Sequence, residues 1–287
     1  MKIVITGVQG FLGSELARRF MDQGHQVAGL SRRSAGQLDL SASYAVGLGD
    51  SAPAGAFRDA DLLVHAAHDR SPGAEEKNIS GTRRWAEQAR REGVVTQLFL
   101  TSVSAHPDAP SEYGRAKAAL EIYFESIGGL LLRPGLVVGK GGTFGDMANL
   151  LKRFPVVPIL GGDRLQVVLT DVDALFTAVS GFQNLRPGAC YNLFQPDWLG
   201  LLGLSHGIRR HFGLRNLLVP VPLALSVALL TLGQKSGLAP TLGPESLKNL
   251  ERCREYAYVS SYPELGLPLK TLDEMLQISW PQRQIRA

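Results

Sequence analysis

Tyr113 and Lys117 stand four positions apart in Tyr113-Gly-Arg-Ala-Lys117, where a helical pattern begins, so both side chains project from one helix face. That spacing has a chemical use. A phenol can pass a proton to or from a carbonyl or alcohol oxygen, but its ordinary pKa near ~10 makes it a poor base at neutral pH. An ammonium group beside it lowers that pKa. Ser102 ends the apolar run before the helix, and its hydroxyl can hold a substrate oxygen. Ser102, Tyr113 and Lys117 are therefore the candidate catalytic set. A lone tyrosine-lysine pair arises by chance on many helices, and its weight comes from what precedes it.

What precedes it is a turn suited to a dinucleotide. Lys2-Ile-Val-Ile-Thr6 reads as a strand, Gly7-Val-Gln-Gly10 as a turn, and Phe11-Leu12-Gly13-Ser-Glu-Leu-Ala17 as the start of a helix. The first glycine allows the sharp bend, the second lets a pyrophosphate approach the backbone, and the third lets helix pack on strand. The helix start at Phe11 and Leu12 supplies free N–H groups and the positive end of the helix dipole. At the end of the next strand stand Ser31, Arg32 and Arg33 rather than an Asp or Glu. A carboxylate there would bind a free ribose 2′-hydroxyl, whereas an arginine can pair with a 2′-phosphate. The preferred cofactor is accordingly NADP, with NAD as the alternative; a solvated basic turn is the bland reading of the arginines.

The surrounding pattern supplies the elements that hold these residues. Short apolar runs at 2–6, 25–30, 62–66, 98–102 and 129–133 alternate with helical stretches at 10–23, 73–92 and 111–126, the mark of βαβ units on a parallel sheet. After Arg133 the chain becomes glycine- and proline-rich. A further strand is expected at 165–169, with Thr170 capping the helix that follows, and a capping box at Thr271 to Glu274 opens the last helix. Asp171 and Asp173 read as capping residues.

Together these motifs resemble the short-chain dehydrogenase/reductase superfamily, and within it the extended branch of nucleotide-sugar epimerases, dehydratases and related reductases. Gly7-x-x-Gly10-x-x-Gly13 matches the extended-type glycine motif, and Asp61-Leu-Leu-Val-His65-Ala-Ala67 is similar to the fourth-strand segment that ends against the cofactor. Asn78-Ile-Ser-Gly81-Thr82 is similar to the branch's Asn-containing helix motif, where Asn78 is a structural or a proton-relay position. Leu132-Arg133-Pro134-Gly135 is similar to the strand at the nicotinamide end. The resemblance implies that Tyr113 is the acid/base, Lys117 its pKa partner and ribose anchor, and Ser102 the oxygen-positioning donor. It adds Asp50, Ala66, Ala67, His68 and Pro134 to the cofactor-contacting residues. It further implies an α/β fold of the Rossmann type: a doubly wound parallel sheet over 1–195, with 139–163 contributing to a smaller C-terminal substrate lobe at 196–287. Its implied reaction is hydride transfer to or from a carbonyl or secondary alcohol, with a nucleotide sugar as the substrate the branch suggests. Eleven positions separate Ser102 from Tyr113, fewer than epimerases of the branch carry, and Ala105-His106-Pro107 replaces their Val-Tyr-Gly. That departure keeps a second reading open, a non-catalytic NADP-binding sensor or assembly protein.

Composition narrows the rest. Of 287 residues 45% are hydrophobic, enough for a sizeable core, and the formal charge of +4 is spread without a basic stripe, so nucleic acid is not an expected partner. Two cysteines without a CxxC give no disulfide framework or zinc site, and no metal is expected; His65 and His68 read as cofactor-side packing. Met1-Lys2 leads straight into a strand; the apolar stretch 217–232 is interrupted by Pro220 and Pro222, and its uninterrupted part, 223–232, is too short to span a bilayer and reads as a buried helix. The expected setting is cytoplasmic, with a small-molecule substrate, no integral membrane association and a homodimer left open.

Overall fold

The structure, a computed structural model, describes residues 1–33, 36, 38–235 and 243–281. From the N-terminus the order is β1 (Lys2–Thr6), α1 (Phe11–Asp22), β2 (Gln26–Ser31), β3 (Ala42–Ala45), β4 (Leu62–His65), α2 (Glu75–Arg91), β5 (Gln97–Leu100), α3 (Glu112–Ser126) and β6 (Leu130–Pro134). Next come β7 (Leu136–Val138), α4 (Gly142–Arg153), β8 (Val156–Leu160), β9 (Gln166–Asp171), α5 (Val172–Ser180) and β10 (Cys190–Leu193). The chain closes with β11 (Trp198–Gly200), α6 (Leu201–His211), β12 (Leu217–Val221), α7 (Leu223–Lys235), α8 (Pro244–Arg252) and α9 (Leu272–Ser279). Two compact units result: Met1–Asp108 with Glu112–Arg133 and Phe176–Tyr191, and Ala109–Ser111 with Pro134–Leu175 and Asn192–Ala287.

The first unit is built on a seven-stranded sheet of order β10-β6-β5-β4-β1-β2-β3, in which β1 to β6 pair in parallel. The inner strands are buried on both faces, which is why they read as apolar runs: every residue of β4 and of β5 is buried. Strand order reverses between β1 and β4, and in such a sheet ligands bind beyond the carboxyl ends of the strands at that switch. The glycine turn leaves β1 at this point. Strand β5 stops at Leu100, so Ser102 lies in the following turn rather than closing the strand; the chain bends there as the Ala105 N–H meets the Ser102 carbonyl at 2.9 Å.

The second unit contains a three-stranded sheet, β11-β9-β7, and a parallel pair, β12-β8. Phe144, Val157, Ile159, Leu204, Ile208 and Leu276 lie in its core. The capping box at Thr271 and Glu274 is present. Two expectations are corrected. Thr170 does not cap α5: its hydroxyl donates to the Leu193 carbonyl and accepts the Gly135 N–H, and Asp171 takes the capping role, its carboxylate accepting the N–H groups of Asp173 and Ala174 at 2.9 Å each. Nor is α7 a buried helix, because Leu225, Leu229 and Leu232 are 51%, 52% and 64% exposed. A helix apolar all round carries no periodicity to tell which side is covered. Among the described residues no helix is long and apolar enough to cross a membrane.

Candidate functional site

The turn after β1 is held by backbone geometry. Gly7 adopts φ +69°, its N–H donates to the Leu30 carbonyl at 2.7 Å, and its carbonyl accepts from Gly10 at 2.8 Å. A Cβ on Gly7 would lie 2.7 Å from the Ala67 Cα, and one on Gly13 would strike the Gly7 carbonyl oxygen. Both positions therefore require glycine for close approach, one between β1 and β4 and one between turn and helix. No side chain caps α1 at Gly10, so the first N–H groups of the helix, at Phe11, Leu12 and Gly13, face the turn with no side-chain acceptor at the cap. Such an end fits an anionic diphosphate.

The end of β4 is tied to the same turn. The Thr6 hydroxyl accepts the N–H groups of Ala66 and Ala67, each at 3.2 Å. His65 and His68 then diverge. His65 is buried, with Nε2 at 2.9 Å from Gln97 Oε1 and its ring 4.8 Å from Phe124, and burial lowers its pKa to about 4. His68 sets its ring edge-on to Tyr113, at 4.8 Å and 89°; burial, followed by the charge of Lys117, lowers its pKa to about 3, so it is a neutral imidazole at neutral pH. Asn78 on α2 clamps the loop beyond: Oδ1 accepts the Asp69 N–H at 2.8 Å, and Nδ2 donates to the Asp69 and Ala74 carbonyls at 2.9 Å. Both donors of this amide and one acceptor position hold backbone.

Tyr113 and Lys117 occupy the first turns of α3 as their spacing predicts. Lys117 is 5% exposed, and Nζ donates to the Leu100 carbonyl at 2.6 Å. It lies 4.5 Å from the Phe99 ring centroid and 5.8 Å from that of Tyr113. Burial lowers its pKa to about 7 against the raising effect of Glu121. Tyr113 is 38% exposed and so reachable from solvent. Ser102 is buried, its Oγ accepting the Ser104 N–H at 3.1 Å.

One group of residues escaped the sequence reading. Glu121 on α3 forms a two-pronged ion pair with Arg133 on β6, at 3.0 and 2.7 Å, and accepts the Thr101 hydroxyl at 2.6 Å. The brace fixes α3, and with it Tyr113 and Lys117, against the ends of β5 and β6. Its only sequence signal is an arginine inside an otherwise apolar strand. The remaining expected positions lie where strands end. Ser31 ends β2 and donates to the Arg33 carbonyl at 2.6 Å, with Arg32 and Arg33 exposed. Asp50 is exposed in the turn after β3, its carbonyl accepting the Trp85 indole N–H at 2.8 Å, and Pro134 is buried at the end of β6. The structure thus brings together Gly7, Gly13 and Ala67 in one contact and His68, Tyr113 and Lys117 in another.

Known proteins share this fold. The NAD dependent epimerase/dehydratase family matches residues 3–154. Protein y4nG of Sinorhizobium fredii is 22% identical over 92% of this chain and 73% of its own length. MoeE5, solved in complex with UDP-glucuronic acid and NAD, superposes with a TM-score of 0.69 at 18% identity, covering 90% of this chain and all (100%) of that one. The UDP-N-acetylglucosamine 4-epimerase of Methanobrevibacter ruminantium gives a TM-score of 0.71 at 16% identity, over 97% of this chain and 96% of the other. At these identities the two structures establish the shared fold.

Proposed function

Because the chain belongs to the NAD dependent epimerase/dehydratase family, we propose that it is an enzyme acting on a carbonyl or secondary alcohol of a nucleotide-linked sugar. The observation that carries this reading is the buried Lys117, anchored on the Leu100 carbonyl and set beside Tyr113 on one face of α3. Family membership makes a nicotinamide dinucleotide the cofactor, and the residues fit it: a glycine turn with no room for a Cβ, an uncapped helix start and a buried cation. When bound, the cofactor supplies the hydride acceptor and donor.

The chain's own residues do the rest. Phe11, Leu12 and Gly13 present N–H groups to the diphosphate. Lys117, now donating to the Leu100 carbonyl, would help to hold the cofactor, and its charge when protonated would favour the phenolate of Tyr113. The Tyr113 hydroxyl takes the proton from a substrate alcohol or gives it to a carbonyl, while Ser102 donates a hydrogen bond to the same oxygen. His68, neutral at working pH, packs edge-on against the phenol ring without adding a competing charge. An epimerase uses these groups twice, a reductase once.

Arg32 and Arg33, with no carboxylate at the end of β2, favour a 2′-phosphate, so NADP is the preferred form. A hydrogen bond to a charged group is worth about 1.5–3 kcal/mol, which gives NADP about a ten-fold advantage or more over NAD. Calorimetric titration decides it. Arg32→Ala should weaken NADP and spare NAD; equal loss of both would make these arginines surface charge.

The activity is tested by incubating the purified protein with both cofactors and a panel of nucleotide sugars and simple ketones. Epimerised, dehydrated or reduced nucleotide sugar is the expected product. Cofactor binding with no turnover across the panel would point instead to a sensor.

A further inference from the structure

We infer that the second unit docks on the surface of an anionic phospholipid bilayer through the open face of the β8–β12 pair and the outer stripe of α7. A strand pair with one face on a core ordinarily turns polar side chains outward. Here Val157, Ile159 and Leu218 fill the core side at 8% exposure or less, yet the opposite face is also apolar. The register sets Leu217 beside Val156 and Val219 beside Pro158, with Val156 and Leu217 52% and 61% exposed. Helix α7 follows directly after Pro222, and Leu225, Leu229 and Leu232 line one outward stripe at helical spacing, with Ala224 and Ala228 exposed beside them.

The helix's two hydroxyls are turned to backbone. Ser226 Oγ accepts the Gly161 N–H at 3.3 Å and donates to the Pro222 carbonyl at 3.0 Å, and Thr231 donates to the Val227 carbonyl at 2.7 Å. The outward stripe therefore offers nothing to water, and contiguous apolar surface of this kind marks an interaction site.

Charge selects the occupant. Arg153 and Arg215 stand three and two residues before the first paired positions, Val156 and Leu217, and so flank one end of the apolar face. Both are exposed; Arg153 lies over the Phe154 ring at 5.4 Å, and neither meets a carboxylate among the described residues. The sequence holds no Asp or Glu between Asp197 and Glu245, while Arg209, Arg210, Arg215 and Lys235 fall inside that span. A two-fold contact between copies through this face would bring like charges together. Lipid phosphates instead answer the arginines, and acyl chains receive the leucines and valines. At 13 residues α7 is about 20 Å long, short of a bilayer's ~30 Å core, so it lies in the surface rather than across it.

Flotation with phosphatidylcholine vesicles, with and without phosphatidylglycerol, tests this on the full chain. Wild type should float with the anionic vesicles at low salt and stay behind with the neutral ones. Leu225→Ser/Leu229→Ser/Leu232→Ser should lower binding at least ten-fold, and Arg153→Ser/Arg215→Ser about five-fold for each charge removed. Val95→Ser/Ile122→Ser, which removes the 94% and 63% exposed residues of the first unit, should bind like wild type. Circular dichroism melts confirm that each variant is folded. Absence of wild-type flotation, equal binding to neutral vesicles, or unchanged binding of both site variants would each overturn the inference. So would a dimer in light scattering that the leucine substitutions dissolve without any vesicle binding, since the face would then join two copies.

Discussion

In the unit built on the seven-stranded sheet, the large apolar side chains left exposed are scattered singly, at Met1, Val95, Tyr113 and Ile122; in the other unit, apart from Val259 and Leu269, they run together along 150–156 and 217–232. The difference follows from how each sheet is covered. A parallel sheet flanked on both faces buries its inner strands, β4 and β5 completely, and the glycine turn and Ser102 lie just beyond strand ends, with Tyr113 and Lys117 on α3. The β8–β12 pair has one face on a core, so composition alone decides what its other face presents. An isolated exposed residue such as Val95 or Ile122 is ordinary surface, whereas Leu225, Leu229 and Leu232 form a continuous stripe.

The largest effect that sharpens this contrast is a cavity. Phe124 is fully buried, stacks on Phe99 at 4.8 Å and touches His65, so Phe124→Ala should cost about 3–5 kcal/mol, while Leu229→Ala, half exposed, should stay within about 0.5 kcal/mol. Urea denaturation measures both, and equal losses would remove the distinction between the units.

Charged anchors should behave alike in the two units. Arg133→Met strands Glu121, and Lys270→Met strands Asp171, which is 1% exposed and pairs with Lys270 at 2.9 Å. Lys270→Met should destabilise by about 3 kcal/mol, because Asp171 stays buried without its partner, and Arg133→Met by somewhat less, because Glu121 is only partly buried. Replacing both partners, as in Arg133→Met/Glu121→Leu, should recover most of the loss.

Glycines separate room from backbone angle. Gly13→Ala must displace the Gly7 carbonyl and should cost about 2–3 kcal/mol together with cofactor binding. Gly24→Ala has open space at φ +78° and should cost about 1 kcal/mol, with binding untouched.

The effect on pH dependence is spread over several pH units and so is the smallest at any one pH. His65 and His68 have pKa values of about 4 and about 3 in the fold against an ordinary 6.5. As pH falls below 6.5 the unfolded chain takes up protons that the fold refuses, so stability declines from there towards those values. His68→Asn should flatten the decline, read as Tm against pH. Lys117, lowered to about 7 from 10.5, adds a rise in stability between those values as pH increases, which Lys117→Met should abolish.

Much of the site was readable along the chain because its requirements are local. The glycine turn needs only neighbouring residues, and Tyr113 and Lys117 need only one helix. What escaped depends on distant segments meeting. The edge of His68 on Tyr113 joins the end of β4 to α3, and Glu121, Arg133 and Thr101 converge from three elements. The short strands β7, β8, β11 and β12 were missed for the same reason, since strands of 3–5 residues owe their pairing to non-local partners. For Thr170 and Asp171, adjacent and both able to cap, the choice rested on Gly135 and Leu193, which no local pattern reveals.

The central claim is that Tyr113 moves the proton in a site whose glycine turn and lysine hold the cofactor. It is tested most directly by comparing Tyr113→Phe with wild type in two readouts, calorimetric cofactor affinity and turnover of a nucleotide sugar that wild type accepts. The account predicts affinity within about two-fold of wild type and turnover lower by about two to four orders of magnitude. Unchanged turnover in the phenylalanine variant would contradict it.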